Sequence, residues 1–137
     1  MDLFGEFQKT IAAAKAIEGL EGLATRVEEA ANKLAEVAIH MGSTAMSEKV
    51  LDAFASAHPF QDATGDVVMA WMHLWRATIA AQKIEKAKKK DKPFYDGLIK
   101  SLKFFVDTQL PITMGRFAAI MNTSSVANEI DDASFPS

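Results

Sequence analysis

Glu36 and His40 are the first side chains in the sequence whose types and spacing could do chemistry. Four residues apart, they would share one face of an α-helix, where a carboxylate and an imidazole can act together as metal ligands. A carboxylate-bridged di-iron or di-manganese bundle also needs a Glu-x-x-His pair on each of two helices, and the sequence contains none. We therefore expect Glu36 and His40 to form a helix-surface pair, and a metalloenzyme that uses them is the less favoured alternative.

The other two histidines, His58 and His73, have an intrinsic pKa that suits a general base. His58 precedes a proline at a helix boundary, and His73 lies beside Arg76 at the edge of a tryptophan-bearing segment. A general base also needs a nucleophile or an orienting carboxylate within hydrogen-bond reach, which the sequence does not place. We expect both histidines to be structural.

The composition excludes several other kinds of chemistry. The 137 residues include no cysteine, which removes thiolate metal sites, thiol nucleophiles and disulfides. The sequence has no glycine-rich phosphate loop and no Gly-x-Ser-x-Gly motif. With 18 acidic and 15 basic side chains the net charge is −3, which argues against a nucleic-acid partner. The length suits one domain that builds its own core.

A run rich in lysine extends from Lys83 to Lys92. Cations are favoured at the negative end of a helix dipole, so the run is typical of a solvated helix end. The alternative is a basic patch for a phosphate, an acidic lipid surface or coenzyme A. We favour the helix end because no aromatic residues are interleaved with the lysines.

Apolar residues recur at three- and four-residue steps, which predicts an all-α fold. We expect a four-helix-type bundle with helices over residues 2–17, over residues 23–41, from about residue 60 or 62 into the basic run, and from Pro93 to Met121. A short extra helix is expected within residues 43–58. Residues 1–125 then form the bundle domain, and residues 126–137 form a loose C-terminal tail.

Glycine and proline positions predict where these helices end or bend. Gly42 is expected to be the left-handed C-terminal cap of the second helix. His58 and Pro59 are expected to end the short helix, and Asp91 to cap the fourth one. Pro111 is expected to kink the fourth helix near residues 108–110 rather than to stop it.

The apolar stripes predict which side chains are buried. The short helix should use Val50, Leu51 and Phe54, the central helix Val67, Val68, Trp71, Met72, Leu74, Trp75, Thr78 and Ile79, and the fourth helix Phe94, Leu98, Leu102, Phe105, Gln109 and Ile112. The stripe of the central helix is wider than its partners in a small bundle need. Part of it is therefore a candidate interface.

Several blocks of the sequence resemble one known family. They are the segments 66–76 (DVVMAWMHLWR) and 94–105 (FYDGLIKSLKFF), the pairs Leu110-Pro111 and Ser134-Phe135, and, in the first half, residues 10–23 and 49–60. The order of these blocks resembles the C-terminal helical domain of certain acyl-CoA dehydrogenases, in the group that includes 3-methylmercaptopropionyl-CoA dehydrogenase. The resemblance covers nearly the whole chain.

The resemblance implies a helical bundle appended to the flavin-containing core of an enzyme that oxidises an acyl-CoA thioester at its α and β carbons. The proton-abstracting glutamate and the groups around FAD belong to that core, and no segment here matches them, so no catalytic, cofactor-binding or metal residue is assigned. FAD is implied for the parent enzyme only. The implied partner is its catalytic core, or a further copy in a homo-oligomer, and the candidate interface residues are Trp71, Trp75, Phe94, Tyr95, Lys100 and Phe135.

One further alternative is a stand-alone helical bundle that binds acyl-CoA or another small ligand, suggested by the aromatic and methionine content and by the basic run. The chain starts Met1-Asp2-Leu3-Phe4, which does not resemble a secretory signal, so the cytoplasm is expected. The apolar segment 67–75 is far shorter than the ~20 residues of a membrane-spanning helix, and no transmembrane segment is predicted.

Overall fold

The structure, a computed structural model, describes residues 3–122, 129, 130 and 133. These residues form helices and no strand, which confirms the predicted all-α class. The helices are α1 (Leu3–Lys15), α2 (Glu21–Ala45), α3 (Val50–Ala55), α4 (Ala57–Lys83), α5 (Lys92–Thr108) and α6 (Leu110–Met121), with a 3-10 turn at Ile84–Lys86 after α4. The predicted interface residue Phe135 and most of the predicted tail lie outside the described residues.

Helix α4 is the centre of the bundle and packs against α1, α2, α5 and α6. Its fully buried side chains recur at four- and three-residue steps: Ala63, Val67, Ala70, Leu74, Ala77 and Ala80. This spacing keeps one stripe facing the neighbouring helices along the whole length of α4. The alanines at four of the six positions let those helices approach closely. The predicted central position of this helix is confirmed.

The rest of the core comes from the faces that the other helices turn towards α4. The large members are Phe7 and Ile11 of α1, Val27 and Val37 of α2, Leu102 and Val106 of α5, and Leu110, Phe117 and Ile120 of α6. Burial of such side chains contributes about 1.5–3 kcal/mol each, so this shared core is the main source of stability.

The prediction for Gly42 is wrong. Helix α2 continues through it to Ala45, and the backbone N–H of Met46 donates to the Gly42 carbonyl at 3.2 Å. A left-handed cap would have a positive φ. Among the described residues a positive φ, of 92°, is found at Gly19, in the turn between α1 and α2. The side chains after Met41 do not oppose a helix, so α2 extends until Met46 ends it.

The predicted helix boundary at His58 and Pro59 is also wrong. Helix α4 begins at Ala57, before both residues, instead of at residue 60 or 62. Pro59 therefore occupies the first turn, where a backbone N–H has no helical acceptor and a proline costs little. Asp91 is at the N-cap of α5 as expected, but its side chain makes no capping hydrogen bond.

Pro111 interrupts the fourth predicted helix at the expected place. Helix α5 ends at Thr108, Gln109 alone separates it from α6, and Pro111 is in the first turn of α6. The N–H of Gln109 donates to the Phe105 carbonyl at 2.8 Å, and the N–H of Thr113 donates to the Gln109 carbonyl at 3.1 Å. The two helices therefore follow one another with an almost unbroken hydrogen-bond ladder.

Some side chains predicted to be buried are exposed. Phe94 is 66% exposed, and Ile112 also faces outwards. Val106 and Thr113 occupy the buried positions instead. In α3 the buried residues are Asp52 and Ala53, whereas Val50, Leu51 and Phe54 are exposed. A six-residue helix has too few turns for its apolar spacing to determine the buried face.

Candidate functional site

The outer face of α4, defined here as Met69, Met72 and Trp75, is a candidate interface. Met69, Met72 and Trp75 are 46%, 40% and 50% exposed. They lie opposite the buried stripe of the same helix, so they form one patch rather than scattered surface residues. The structure confirms that the apolar surface of this helix is wider than the bundle core uses.

Trp75 is held by a chain of contacts that begins on α1. The Trp71 indole N–H donates to Thr10 Oγ1 at 2.9 Å, and the Trp71 ring lies 5.0 Å from the Phe7 ring, centroid to centroid. Trp75 stacks on Trp71 at 6.3 Å with the two planes 10° apart. The structure thus brings two of the predicted interface residues together and fixes the orientation of the exposed one.

A groove of about 410 Å³ lies between α4 and α5. His73 of α4 lines it, together with five residues of α5 that include Lys100, Phe104 and Phe105. The His73 imidazole is partly buried, and its centroid is 5.0 Å from that of the Phe105 ring. Burial, and secondly the positive charge of Arg76, lower the pKa of His73 below 6.5, so the imidazole is neutral at pH 7.

Lys100, a predicted interface residue, lies at the rim of this groove. Its Nζ donates to Asp96 Oδ2 at 2.7 Å. That hydrogen bond, and the charge of the carboxylate, raise the pKa of Lys100 above its usual value. Lys100 is therefore a permanent cation, and sequence reasoning did not associate it with His73. The two residues are 27 positions apart and separated by a turn, so local spacing does not show that proximity.

Phe94 and Tyr95, the remaining described interface candidates, contact one another edge to face at 5.6 Å in the first turn of α5. Trp71 and Trp75 lie on α4 against α1, and Lys100 lies on the groove. The described candidates therefore occupy three places on the surface rather than one cluster.

Glu36 and His58, two of the residues considered for metal binding or acid–base chemistry, have partners on their own helices. Glu36 accepts a hydrogen bond from Lys33 at 3.3 Å, and the exposed His58 lies 3.4 Å from Asp62, one helical turn away. Within the part of the chain that the structure describes, no group of three or more His, Asp or Glu side chains could hold a metal ion. The metalloenzyme alternative thus gains no support from the geometry.

Two polar links between helices were not predicted. Asp66 Oδ2 of α4 accepts hydrogen bonds from Gln109 Nε2 at 3.2 Å, Thr113 Oγ1 at 3.0 Å and Arg116 Nη1 at 3.1 Å. On the other side of the bundle, Arg26 of α2 donates to Asp107 and to the Val106 carbonyl, both at 2.9 Å. The one sequence signal was Gln109, a polar residue within a predicted apolar stripe.

Comparison with known proteins identifies the class to which this bundle belongs. The family model described as acetyl-CoA dehydrogenase C-terminal like matches residues 3–131. The chain belongs to that family, which confirms the resemblance found in the sequence blocks. No curated protein matches the chain. Among the described residues no helix has both the length and the apolar character needed to cross a membrane.

Proposed function

We propose that this chain is the non-catalytic C-terminal accessory domain of an FAD-dependent acyl-CoA dehydrogenase. The match of the C-terminal family model over residues 3–131 is the observation that carries the proposal. The parent enzyme oxidises an acyl-CoA thioester at its α and β carbons, and its catalytic core supplies both FAD and the carboxylate that removes the α proton. The role of this chain is to pack on that core or on a neighbouring subunit.

The outer face of α4 supports a packing role. Tryptophan and methionine are enriched in protein–protein interfaces, and a tryptophan with a fixed orientation loses little side-chain entropy on binding. Trp75 has that property because Trp71 holds it. We place the contact with the core on this face.

The described carboxylates support the assignment of catalysis to another domain. Asp66 accepts three hydrogen bonds that join helices, and Glu6, Glu28 and Glu36 are in surface ion pairs with lysines. A catalytic base would need to be open to a substrate at hydrogen-bond distance. These carboxylates instead serve the bundle itself.

If this chain is a domain of a larger enzyme, the native polypeptide must also contain the catalytic core. The size of the native protein tests this. An antibody raised against this chain, which has a mass of 14.9 kDa, would be used to blot an extract of the cells that make it. We expect a band several times larger, which copurifies with the yellow absorbance of flavin. A single native band at the mass of the chain itself would overturn the proposal.

The absorption spectrum of the purified chain tests the non-catalytic role separately. We expect no flavin absorbance after expression with excess riboflavin and no acyl-CoA-dependent reduction of an added dye. Bound flavin that an acyl-CoA reduces would contradict the proposal, whatever the size of the native protein.

A further inference from the structure

The connection from α4 to α5 concentrates the positive charge of the chain. Residues 83–92 hold six of the 15 basic side chains and two of the 18 acidic ones, which leaves nine basic and 16 acidic side chains for the rest of the sequence. Each of the six lysines is exposed, and within the part of the chain that the structure describes none of them is in an ion pair: Lys83, Lys86, Lys88, Lys89, Lys90 and Lys92. One end of the bundle is therefore cationic on a chain that is otherwise acidic.

The helix dipole of α4 explains only the first two of these lysines. Lys83 is in the last turn of α4 and Lys86 is in the 3-10 turn that follows, where the negative end of the dipole favours cations. The other four come after that turn and lie at the start of α5, where the dipole has its positive end and favours anions. Lys92 is the first residue of α5, and no acidic residue lies in the first turn of that helix. The fold alone therefore does not account for the lysines of residues 88–92.

A hydrogen-bonded turn places an exposed aromatic side chain beside these lysines. The Lys88 carbonyl accepts the backbone N–H of Asp91 at 2.8 Å and that of Lys92 at 3.2 Å. The Asp91 carbonyl in turn accepts the N–H of Phe94 at 3.1 Å. The Phe94 ring is exposed and contacts only the edge of the neighbouring Tyr95 ring among the aromatic groups described. The sequence separates the lysines from the aromatic pair, whereas the structure joins them in one turn.

Cations together with an exposed aromatic side chain favour a membrane surface over a small soluble anion. Lysines attract anionic lipid headgroups, and aromatic rings are enriched at the level of those headgroups. A small anion such as a free phosphate needs polar groups that converge in a concave site. The six lysines lie outside the groove between α4 and α5 and point into solvent. A flat, extended anionic surface can contact them together.

We propose that the connection from α4 to α5 binds the surface of an anionic lipid bilayer. The lysines of residues 83–92 contact the headgroups, and the Phe94 ring inserts at the boundary between headgroups and acyl chains. The acidic remainder of the chain is repelled by the same surface, so the chain attaches by this end. The inference does not rest on the proposed accessory role, because it concerns a surface other than the outer face of α4 and is measured on this chain alone.

Cosedimentation of the chain with lipid vesicles tests this surface. We expect binding to vesicles of about 40% phosphatidylglycerol in phosphatidylcholine, and binding at least about tenfold weaker to phosphatidylcholine alone. Because salt screens the lysines, binding to the anionic vesicles should weaken at least about tenfold between about 0.1 M and about 0.5 M NaCl. Failure to sediment with the anionic vesicles, or equal binding to both kinds of vesicle, would overturn the proposal.

Two triple variants with the same change of net charge show which lysines bind the vesicles. Each lysine near an anionic surface strengthens binding by about fivefold, so replacement of Lys88, Lys89 and Lys90 by glutamine should weaken it at least about tenfold. Replacement of the exposed Lys9, Lys33 and Lys49 by glutamine should change it less than about threefold. All six positions are on the surface, so both variants should fold. Equal weakening in the two variants would contradict the assignment to this connection.

Two phenylalanine variants distinguish a membrane from a soluble polyanion. Phe94→Ser should weaken vesicle binding at least about fivefold, because an inserted ring is removed. Phe104 is exposed as well and lies about 15 Å further along α5, so Phe104→Ser should leave the binding unchanged. If Phe94→Ser binds the vesicles as tightly as the original chain does, the lysines act by charge alone, as they would on an acidic protein, and the membrane proposal is wrong.

Discussion

Trp71 of α4 donates its indole N–H to Thr10 Oγ1 of α1 at 2.9 Å, across 61 positions of sequence. Thr10 donates its own hydroxyl hydrogen to the Glu6 carbonyl at 3.1 Å, so its oxygen is free to accept from the indole. One hydroxyl therefore satisfies a partly buried N–H and fixes the Trp71 ring. Through the stack of the two indoles, it also orients Trp75 on the outer face of α4.

Replacement of Thr10 by valine should destabilise the chain by about 1–3 kcal/mol, because the partly buried indole N–H loses its acceptor. The shape of the side chain is retained, so little of this loss comes from packing. Urea denaturation followed by tryptophan fluorescence measures it. The control is Thr25→Val, since the exposed Thr25 hydroxyl donates only to the Glu21 carbonyl of its own helix. Equal losses in the two variants would show that the link to Trp71 contributes nothing.

Periodicity predicted the helical class and the central place of α4, because each depends on many residues of one segment. The kink expected at Pro111 followed from that one proline, and the structure divides the predicted helix there into α5 and α6. The cap at Gly42 was wrong, since one glycine does not end a helix whose following residues can continue it. The stripe that included Phe94 failed at its start, in the first turn of α5, where that side chain is 66% exposed. The link from Asp66 to Arg116 joins positions 50 residues apart, so local spacing carries no signal of it.

Asp66→Ala should cost about 1–3 kcal/mol, because it removes the acceptor that Gln109, Thr113 and Arg116 share. The buried Thr113 hydroxyl keeps the Gln109 carbonyl as an acceptor at 3.1 Å, and solvent screens the partly exposed Arg116, so we expect the lower part of this range. Thermal and urea unfolding would both report it. Asp62→Ala, one turn earlier, removes only an exposed pair with His58 and should change stability by less than about 0.5 kcal/mol. The interpretation fails if the two variants are equally stable.

Alanine at Gly42 and at Gly19 should have opposite effects on stability. Gly42 is inside α2 with open space around it, so Gly42→Ala should stabilise the chain by about 0.4–1 kcal/mol. Gly19 has a φ of 92°, where an L side chain is strained, so Gly19→Ala should cost about 1–2 kcal/mol. Melting temperatures of the two variants test this difference. Stabilisation by Gly19→Ala would contradict the left-handed turn between α1 and α2.

Polar substitution on the outer face of α4 should leave the isolated chain folded. Met72→Gln should change the free energy of unfolding by less than about 0.5 kcal/mol, because the side chain is already partly in water. Leu74→Ala, two residues along the same helix, should cost about 2–5 kcal/mol because Leu74 is fully buried. If Met72 supports the fold as strongly as Leu74 does, the outer face is part of the core and not an interface.

The stability that His73 contributes should depend on pH. Burial and the charge of Arg76 lower the pKa of His73 in the folded chain below 6.5, so the unfolded chain binds more protons in the interval between the two values. The contribution of His73 to the free energy of unfolding therefore decreases as the pH falls through 6.5, and it levels off below the pKa of His73 in the folded chain.

Replacement of His73 by glutamine removes this dependence. Urea denaturation of both proteins from about pH 7.5 to about pH 5 gives the difference between their free energies of unfolding, in which the contributions of all other groups cancel. A difference that stays constant, or that grows in favour of the histidine as the pH falls, would contradict the lowered pKa of His73.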